Sequence, residues 1–193
     1  MGYNPSKHHR RSIRLGGYDY STENAYYVTA CTQNRECLFG KIEAGEMVLN
    51  DAGRMVEQWF QELGSKFADL LCDAFVCMPN HVHFVVVNAG ADLRVFPRDD
   101  SLGEHAGSPL HVVVQWFKTM TTNEYIRGVK QRGWLPFDRR LWQRNYWERI
   151  IRNDSELCHI RQYIRENPSQ WECDHLHEPQ DQTRACPPNS LSN

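Results

Sequence analysis

The strongest constraint on the fold lies in residues 75–87, FVCMPNHVHFVVV, where two apolar runs flank a Pro-Asn pair. Runs rich in valine and phenylalanine are typical of buried strands, and Pro79-Asn80 predicts a tight connection between them. Side chains alternate along a strand, so His81 and His83 share one face about 7 Å apart. This spacing allows two imidazoles to bind one divalent ion, although two histidines hydrogen-bonded on a sheet surface fit the same pattern.

The periodicity of the remaining chain predicts a mixture of strands and helices. Strands are expected at 25–32 and 146–151, with a short extended piece near 47–49, and helices at 51–67, 109–129 and 154–167. Asn50 or Asp51 can cap the first helix, Asn153 or Asp154 can cap the last, and Pro168 halts it. This order predicts a single α+β domain with an antiparallel sheet and helices packed on one face.

Charge is distributed unevenly along a chain whose formal net charge is only −2. Residues 127–152 hold eight arginines and lysines against two acids, residues 1–21 hold four against one, and from residue 166 onward five acids meet one arginine. A polyanion responds to a local basic surface rather than to the total, so the balance does not exclude nucleic acid as a partner. Without a motif, the favoured interpretation is that such segments are the ordinary solvated faces of a protein.

The composition also gives expectations about location. The 193 residues suffice for one domain, and no run approaches the roughly 18 consecutive apolar residues of a membrane span. The basic N-terminal residues are not followed by an apolar run and cleavage site, so no secretory signal is expected. The seven cysteines form no Cys-x-x-Cys pair and are expected to be free thiols. We therefore expect a cytoplasmic, nucleoid-associated protein with no membrane partner.

A second pair of candidate residues lies on the last predicted helix. Tyr163 and Asn167 are four residues apart and project from one face, away from the apolar stripe at Leu157 and Ile164. A tyrosine can be a covalent nucleophile toward phosphorus, and an amide oxygen one turn later can complete a metal site. By position alone, the favoured interpretation is that Tyr163 is a residue at the edge of the core and that Asn167 only ends the helix before Pro168.

Taken together, these segments resemble the HUH endonuclease superfamily and, within it, the REP-associated tyrosine transposases. The resemblance covers most of the chain, but it is weak in residues 88–108 and after Trp171. It is most specific in MPNHVH (78–83) and YIRENP (163–168). Further matching segments are RRSIRLGGYDYS (11–22), YYVTACTQNRECLFG (26–40), MVLNDAGRMV (47–56), FKTMTTNEY (117–125) and LWQRNYWERIIR (141–152). This resemblance implies a ferredoxin-like HUH fold for the α+β domain.

The resemblance also implies an activity, that of a metal-dependent endonuclease and strand transferase. An enzyme of this class acts on single-stranded or hairpin DNA through a covalent 5′-phosphotyrosine. The resemblance places His81, His83 and Asn167 at the metal, either Mg²⁺ or Mn²⁺, and Tyr163 at the position of the nucleophile. The basic segments then become candidate DNA-binding surfaces. Their residues are Arg10, Arg11, Arg14, Lys118, Arg139, Arg140, Trp142 and Arg144.

The expected organisation is a basic arm (1–24), an HUH catalytic domain (25–170) and a polar acidic tail (171–193). A monomer is favoured over a homodimer, and no obligatory protein partner is expected. Two other functions remain open: a nucleic-acid-binding module of the same fold without turnover, and a structural or metal-storage role for the histidines. A separate zinc site is an alternative for the C-terminal cluster, although its spacing is not a usual zinc pattern. That cluster comprises Cys173, His175, His177 and Cys186.

Overall fold

The computed structural model describes residues 24–88 and 108–177. Its elements are the strands β1 (Asn24–Cys31), β2 (Gly40–Glu43), β3 (Glu46–Leu49), β4 (Leu70–Cys77), β5 (His81–Asn88) and β6 (Trp147–Ile151), the helices α1 (Asp51–Lys66), α2 (Leu110–Arg132) and α3 (Asp154–Glu166), and the 3-10 helices Gln33–Arg35 and Asn167–Cys173. None of these helices is long and apolar enough to cross a membrane. The predictions for Arg10, Arg11, Arg14 and Cys186 lie outside the described residues.

Four strands form one antiparallel sheet in the order β4-β5-β1-β6, which confirms the predicted α+β fold. β4 and β5 form the hairpin predicted from residues 75–87, and the Met78 amide donates to the His81 carbonyl at 2.8 Å across its turn. β5 then pairs along its whole length with β1, so these two strands are central and largely buried on both faces. β2 and β3 form a separate two-stranded sheet.

Different helices cover the two faces of the four-stranded sheet. One face, which includes Val28 and Phe84, joins α1 and α2 in the larger core. The other face carries a smaller core in which Ile160 and Ile164 of α3 pack against Val85. The prediction that the helices lie on one face was therefore wrong for α3. The reason is that the central strands are apolar on both faces, and each face needs a covering layer.

The chain remains folded beyond the end of α3. Pro168 follows the end of α3, but the chain continues into the 3-10 helix Asn167–Cys173. A proline in the first turn of a helix is tolerated because the amide donor that it lacks would have no partner there. Trp171 and Leu176 that follow are each 8% exposed. Residues 171–177, which belong to the expected polar tail, therefore pack with the folded domain.

Two glycines of α1 should respond in opposite ways to the same substitution. A methyl group added to Gly53 would overlap the Phe39 carbonyl oxygen, whereas the nearest atom to one added at Gly64 is the Leu70 carbonyl oxygen at 3.9 Å. We expect Gly53→Ala to lower the free energy of unfolding by about 1–3 kcal/mol. Gly64→Ala should raise it by about 0.5–1 kcal/mol, because alanine is the better helix former. Urea denaturation measures both values, and equal effects would contradict the close packing of α1 on Phe39.

Candidate functional site

The paired histidines lie side by side on the face of the sheet that α3 covers. The register between β1 and β5 puts His81 opposite Cys31 and His83 opposite Thr29. The imidazoles of His81 and His83 are 0% and 2% exposed, and their Nε2 atoms are 3.0 Å apart. The alternation of side chains along β5 thus brings both rings together in a buried environment.

The ring of His81 is oriented by Asn80. The Asn80 amide nitrogen donates to the carbonyls of Arg35 and Leu176, at 3.2 and 3.0 Å. These bonds turn Asn80 Oδ1 toward His81 Nδ1, at 2.7 Å. In the neutral ring Nδ1 must therefore carry the proton, and Nε2 presents its lone pair toward His83.

The ring of His83 is held by two hydroxyl groups of β1. Tyr27 Oη and Thr29 Oγ1 each lie 2.8 Å from His83 Nδ1. Residues two apart on a strand share a face, which explains why both hydroxyls reach the same nitrogen. A hydroxyl can donate or accept, so these partners accommodate either neutral tautomer of His83. Such a hydrogen bond to the second ring nitrogen is typical of histidines that bind metal ions.

Burial keeps both histidines neutral. It lowers the pKa of His81 to about 3, with a smaller contribution from the nearby His175. It also lowers the pKa of His83 well below the usual range, and the adjacent His81 adds to this effect. The neutral imidazole is the form that binds a metal ion, so the site maintains the required protonation state at neutral pH.

A carboxylate joins the histidines from the segment that follows the 3-10 helix. Asp174 Oδ2 lies 3.5 Å from His81 Nε2, and the ligand atoms of His81, His83 and Asp174 all lie within 4.8 Å of one another. Asp174 Oδ1 accepts the Leu176 amide at 2.8 Å, whereas Oδ2 is buried and makes no hydrogen bond to any described residue. The Trp171 ring stacks on His81 with centroids 6.0 Å apart. Sequence reasoning missed Asp174 because it falls in the segment expected to be a polar tail.

Tyr163 faces the histidines from α3. Its ring centroid is 5.4 Å from that of His83, and both residues line a pocket of about 520 Å³. Burial raises the pKa of Tyr163 to about 12, and the charge of Asp174 contributes to the rise. Interactions with the side chains of Asn167 and Tyr27 oppose it. The hydroxyl is therefore protonated at neutral pH, and any attack by its oxygen requires loss of that proton.

Asn167 lies where α3 meets the 3-10 helix and is 1% exposed. Its amide interacts with Tyr163, whose pKa it lowers, and with His81, whose pKa it raises against the larger effect of burial. Its Oδ1 is buried and has no hydrogen bond of good geometry within the described ranges. The structure therefore brings all four residues predicted for catalysis and metal binding to one place.

The donor atoms at this place fit a divalent cation. Asp174 Oδ2 lies 3.5 Å from His81 Nε2, and the Asn167 side chain interacts with His81. Asp174 Oδ2 and Asn167 Oδ1 are both buried without a hydrogen-bond partner among the described residues, which is costly unless something binds them. Two nitrogens bound at about 2.1 Å to one ion, at right angles, lie about 3.0 Å apart. This separation equals the distance of 3.0 Å between the Nε2 atoms of His81 and His83. The residues that could hold a metal ion are thus His81, His83, Asn167 and Asp174.

The predicted DNA-binding residues that the structure describes have different surroundings. Arg139, Arg140 and Arg144 are exposed. Lys118 is partly buried, and its ammonium donates to the backbone carbonyls of Gln143 and Arg144 at 2.6 and 3.3 Å. Burial lowers the pKa of Lys118 to about 8. Lys118 therefore connects α2 to the chain before β6 and is less available to a phosphate than the arginines.

Trp142 is a core residue, and its predicted role in DNA binding is incorrect. It is 4% exposed, its ring lies 5.2 Å from Phe39 and 5.9 Å from Phe117, and its Nε1 donates to Thr121 Oγ1 at 2.9 Å. A ring in this environment cannot stack on a base. The alternation of arginines with aromatic residues in the sequence does not reveal which aromatic rings face inward.

Among the described residues, Cys173, His175 and His177 do not form a group of potential metal ligands. Cys173 and His175 are exposed, and His177 packs on Trp171 with ring centroids 4.5 Å apart.

Fold and site together define an α+β domain in which a buried histidine pair on a central strand faces a tyrosine on the last helix. No family model matches the chain. An uncharacterised protein of Haemophilus influenzae is 38% identical to it over 181 residues, which is 91% of this chain and 97% of that protein. The chain belongs to the same protein family as this Haemophilus protein.

Two solved structures are also similar to this chain. The structure of a REP-associated tyrosine transposase bound to a REP hairpin has 17% identity and a TM-score of 0.48, with 83% of this chain and 74% of that chain covered. A candidate transposase from Deinococcus radiodurans R1 has 15% identity and a TM-score of 0.43, with 80% and 96% covered. At this level of similarity, neither structure assigns a function to the chain.

The buried histidines should make the metal-free protein sensitive to acid. Their folded-state pKa values lie below the unfolded value of about 6.5, so below that pH the unfolded chain binds more protons. The contribution of the neutral pair to the free energy of unfolding is fully present above about pH 6.5. It is lost as the pH falls toward the folded-state pKa of His81, about 3. We expect the free energy of unfolding, measured with urea, to fall by up to about 1.4 kcal/mol per pH unit for each histidine.

A matched pair of variants tests this origin of the acid sensitivity. In the double variant His81→Gln/His83→Gln, the free energy of unfolding should no longer show the part of its pH dependence that comes from the two histidines. His159→Gln, at an exposed position of α3, should retain it. Identical slopes in the wild type and the double variant would contradict the assignment to the buried pair.

Proposed function

We propose that this chain is a metal-dependent, tyrosine-nucleophile endonuclease and strand transferase that acts on single-stranded DNA, preferably in hairpin form. The observation that carries the proposal is the position of Tyr163, whose ring lies 5.4 Å from that of His83 beside a buried cluster of nitrogen and oxygen donors. The resemblance of residues 78–83 and 163–168 to REP-associated tyrosine transposases supports it.

Four side chains would hold the metal ion: His81, His83, Asn167 and Asp174. Bound there, Mg²⁺ or Mn²⁺ would supply positive charge to the scissile phosphate and to the attacking oxygen. Mg²⁺ prefers oxygen ligands, so the mixed nitrogen and oxygen donor set favours Mn²⁺.

The protein's own residues would position and activate the nucleophile. Packing of Ile160 and Ile164 against the sheet fixes the face of α3 from which Tyr163 projects. The Asn167 side chain lowers the pKa of Tyr163 and so opposes the effect of burial. Because the charge of Asp174 is one cause of the raised pKa, neutralising this charge favours the phenolate.

The proposed reaction exchanges one phosphoester bond for another. The Tyr163 oxygen attacks phosphorus, its proton passes to water, and the bond from phosphorus to the 3′ oxygen breaks. The leaving oxygen takes a proton from water, which gives a free 3′-hydroxyl and a 5′-phosphotyrosine. Attack on the phosphotyrosine by another 3′-hydroxyl reverses the step and joins strands, so no external energy source is required.

The arrangement supports a monomer that acts in cis. Tyr163 and the histidines that it faces lie close together within one chain.

Asp174 provides a test of the metal site that does not depend on DNA. We expect Asp174→Asn to weaken Mn²⁺ binding by about tenfold or more, because it removes a charge beside the two Nε2 atoms. Electron paramagnetic resonance of the unbound ion measures the dissociation constant directly. Glu172→Gln removes the same charge from an exposed position of the preceding 3-10 helix and should leave the constant unchanged. If Asp174→Asn and the wild type bound Mn²⁺ with equal affinity, Asp174 would not be a ligand of the metal ion.

Tyr163 provides the test of mechanism. With labelled hairpin DNA from the host's own repeats and Mn²⁺ or Mg²⁺, we expect wild type to give cut DNA and a covalent protein–DNA band on a denaturing gel. Tyr163→Phe should give neither product, because only the attacking hydroxyl is removed while the ring remains against Tyr27 and His83. Tyr125→Phe, which removes a phenol that donates to Leu135 away from the site, should still form the adduct.

Two results of the same assay would contradict the proposal. Cleavage that survives Tyr163→Phe would indicate a hydrolytic metal site. Binding without cleavage in the wild type, with either metal, would support the alternative of a nucleic-acid-binding module.

A further inference from the structure

A second concave surface lies next to the catalytic pocket. It is a groove of about 1100 Å³ between α2 and the chain segment 137–148. The charged residues that line it among the described residues are four bases and one acid. They are Lys118, Arg139, Arg140, Arg144 and Glu148. The groove therefore has the local charge that attracts a polyanion, although the whole chain is slightly acidic.

The cations of the groove differ in how available they are. Lys118 donates to two backbone carbonyls and forms part of the wall, and Arg139 lies 3.8 Å from the carboxylate of Asp138. Arg140 and Arg144 are exposed and form no salt bridge with any carboxylate in the described ranges. These two guanidinium groups are therefore the ones best placed to contact phosphates.

The remaining lining favours nucleobases over an acidic peptide. Amide side chains at Gln115, Asn123 and Asn145 can donate to and accept from base edges, and the half-buried rings of Phe137 and Tyr146 line the same groove. An acidic peptide would use the arginines, but it offers no flat rings to stack on these aromatic residues. The occupant that uses both kinds of group is a single DNA strand.

The groove and the catalytic pocket share part of their lining. Gln143, Asn145 and Tyr146 line both of them. All three lie just before β6, which is an edge strand of the sheet, whereas the groove is on the α2 side and Tyr163 is on the α3 side. Trp147, which lines the catalytic pocket, is 47% exposed. A strand lying in the groove can therefore cross the edge of the sheet and reach Tyr163 without leaving the protein surface.

We propose that this groove binds the single-stranded DNA segment next to the scissile phosphate, with Arg140 and Arg144 holding its backbone, and that the strand passes over the β6 edge to Tyr163. The identity of the strand as DNA to be cut rests on the proposed function.

Binding is tested without cleavage in the Tyr163→Phe protein, with a fluorescently labelled oligothymidine as the probe and fluorescence anisotropy over a range of salt concentrations. Arg140→Ala/Arg144→Ala should raise the dissociation constant by about tenfold or more and reduce the salt slope by about 1.4, because each phosphate contact on a single strand contributes roughly 0.7. Arg140→Lys/Arg144→Lys, which keeps the charge, should restore most of the slope. Lys66→Ala/Lys130→Ala removes the same charge from exposed positions outside the groove and should leave both quantities unchanged.

The outcomes separate this proposal from the function itself. The assignment of the groove would be wrong if Arg140→Ala/Arg144→Ala left the dissociation constant and the salt slope unchanged. It would also be wrong if Lys66→Ala/Lys130→Ala weakened binding by the same factor. Oligouridine that binds about tenfold more tightly than oligothymidine would overturn the assignment to DNA. If the wild type forms no covalent adduct but Arg140→Ala/Arg144→Ala still weakens DNA binding, the proposed reaction is contradicted and the assignment of the groove is retained.

Discussion

The antiparallel pairing of β1 with β5 sets the position of every polar group on β1 and β5 that faces the site. It places Thr29 opposite His83, and the alternation of side chains then brings Tyr27 to the same face. A slip of one residue would turn both histidines into the larger core beside Phe84, away from the Tyr27 and Thr29 hydroxyls that hold His83. Burying two imidazoles without partners is costly, so the apolar pattern of β5 and the hydrogen bonds of the histidines enforce the same register.

The placement of α3 on its own face of the sheet makes the site possible. α1 and α2 fill the larger core, and a third helix on that side would have left the histidines facing solvent. α3 is fixed by Ile160 and Ile164 on one side and by Arg161, whose guanidinium makes hydrogen bonds of 2.9 to 3.2 Å to both carboxylate oxygens of Asp73 on β4. Tyr163 lies between these attachments along the helix, so its ring has little freedom to move away from the sheet.

Local signals allowed much of the fold to be predicted, and the failures share one physical cause. The hairpin at 75–87 and the cap at Asn153 depend on neighbouring residues, which the sequence shows directly. The side of the sheet that α3 covers, the inward orientation of Trp142 and the approach of Asp174 to His81 all depend on contacts between distant segments. One signal for the last of these was present: a tryptophan in a supposedly solvated tail, at position 171, has apolar surface that must be buried somewhere.

The buried site and the exposed groove solve opposite electrostatic problems. In the site, burial lowers the pKa of the histidines and raises that of Tyr163, so every one of these groups is neutral at neutral pH. Without a bound cation, the site offers no positive charge to attract a polyanion, and the Asp174 carboxylate adds a negative charge. Under the proposed function, the groove would supply that attraction through its arginines, which lie in water, where holding a charge costs little. Under the proposed function, this separation would allow the histidines to remain neutral, which is the form that binds a cation, while the arginines of the groove would attract the DNA phosphates.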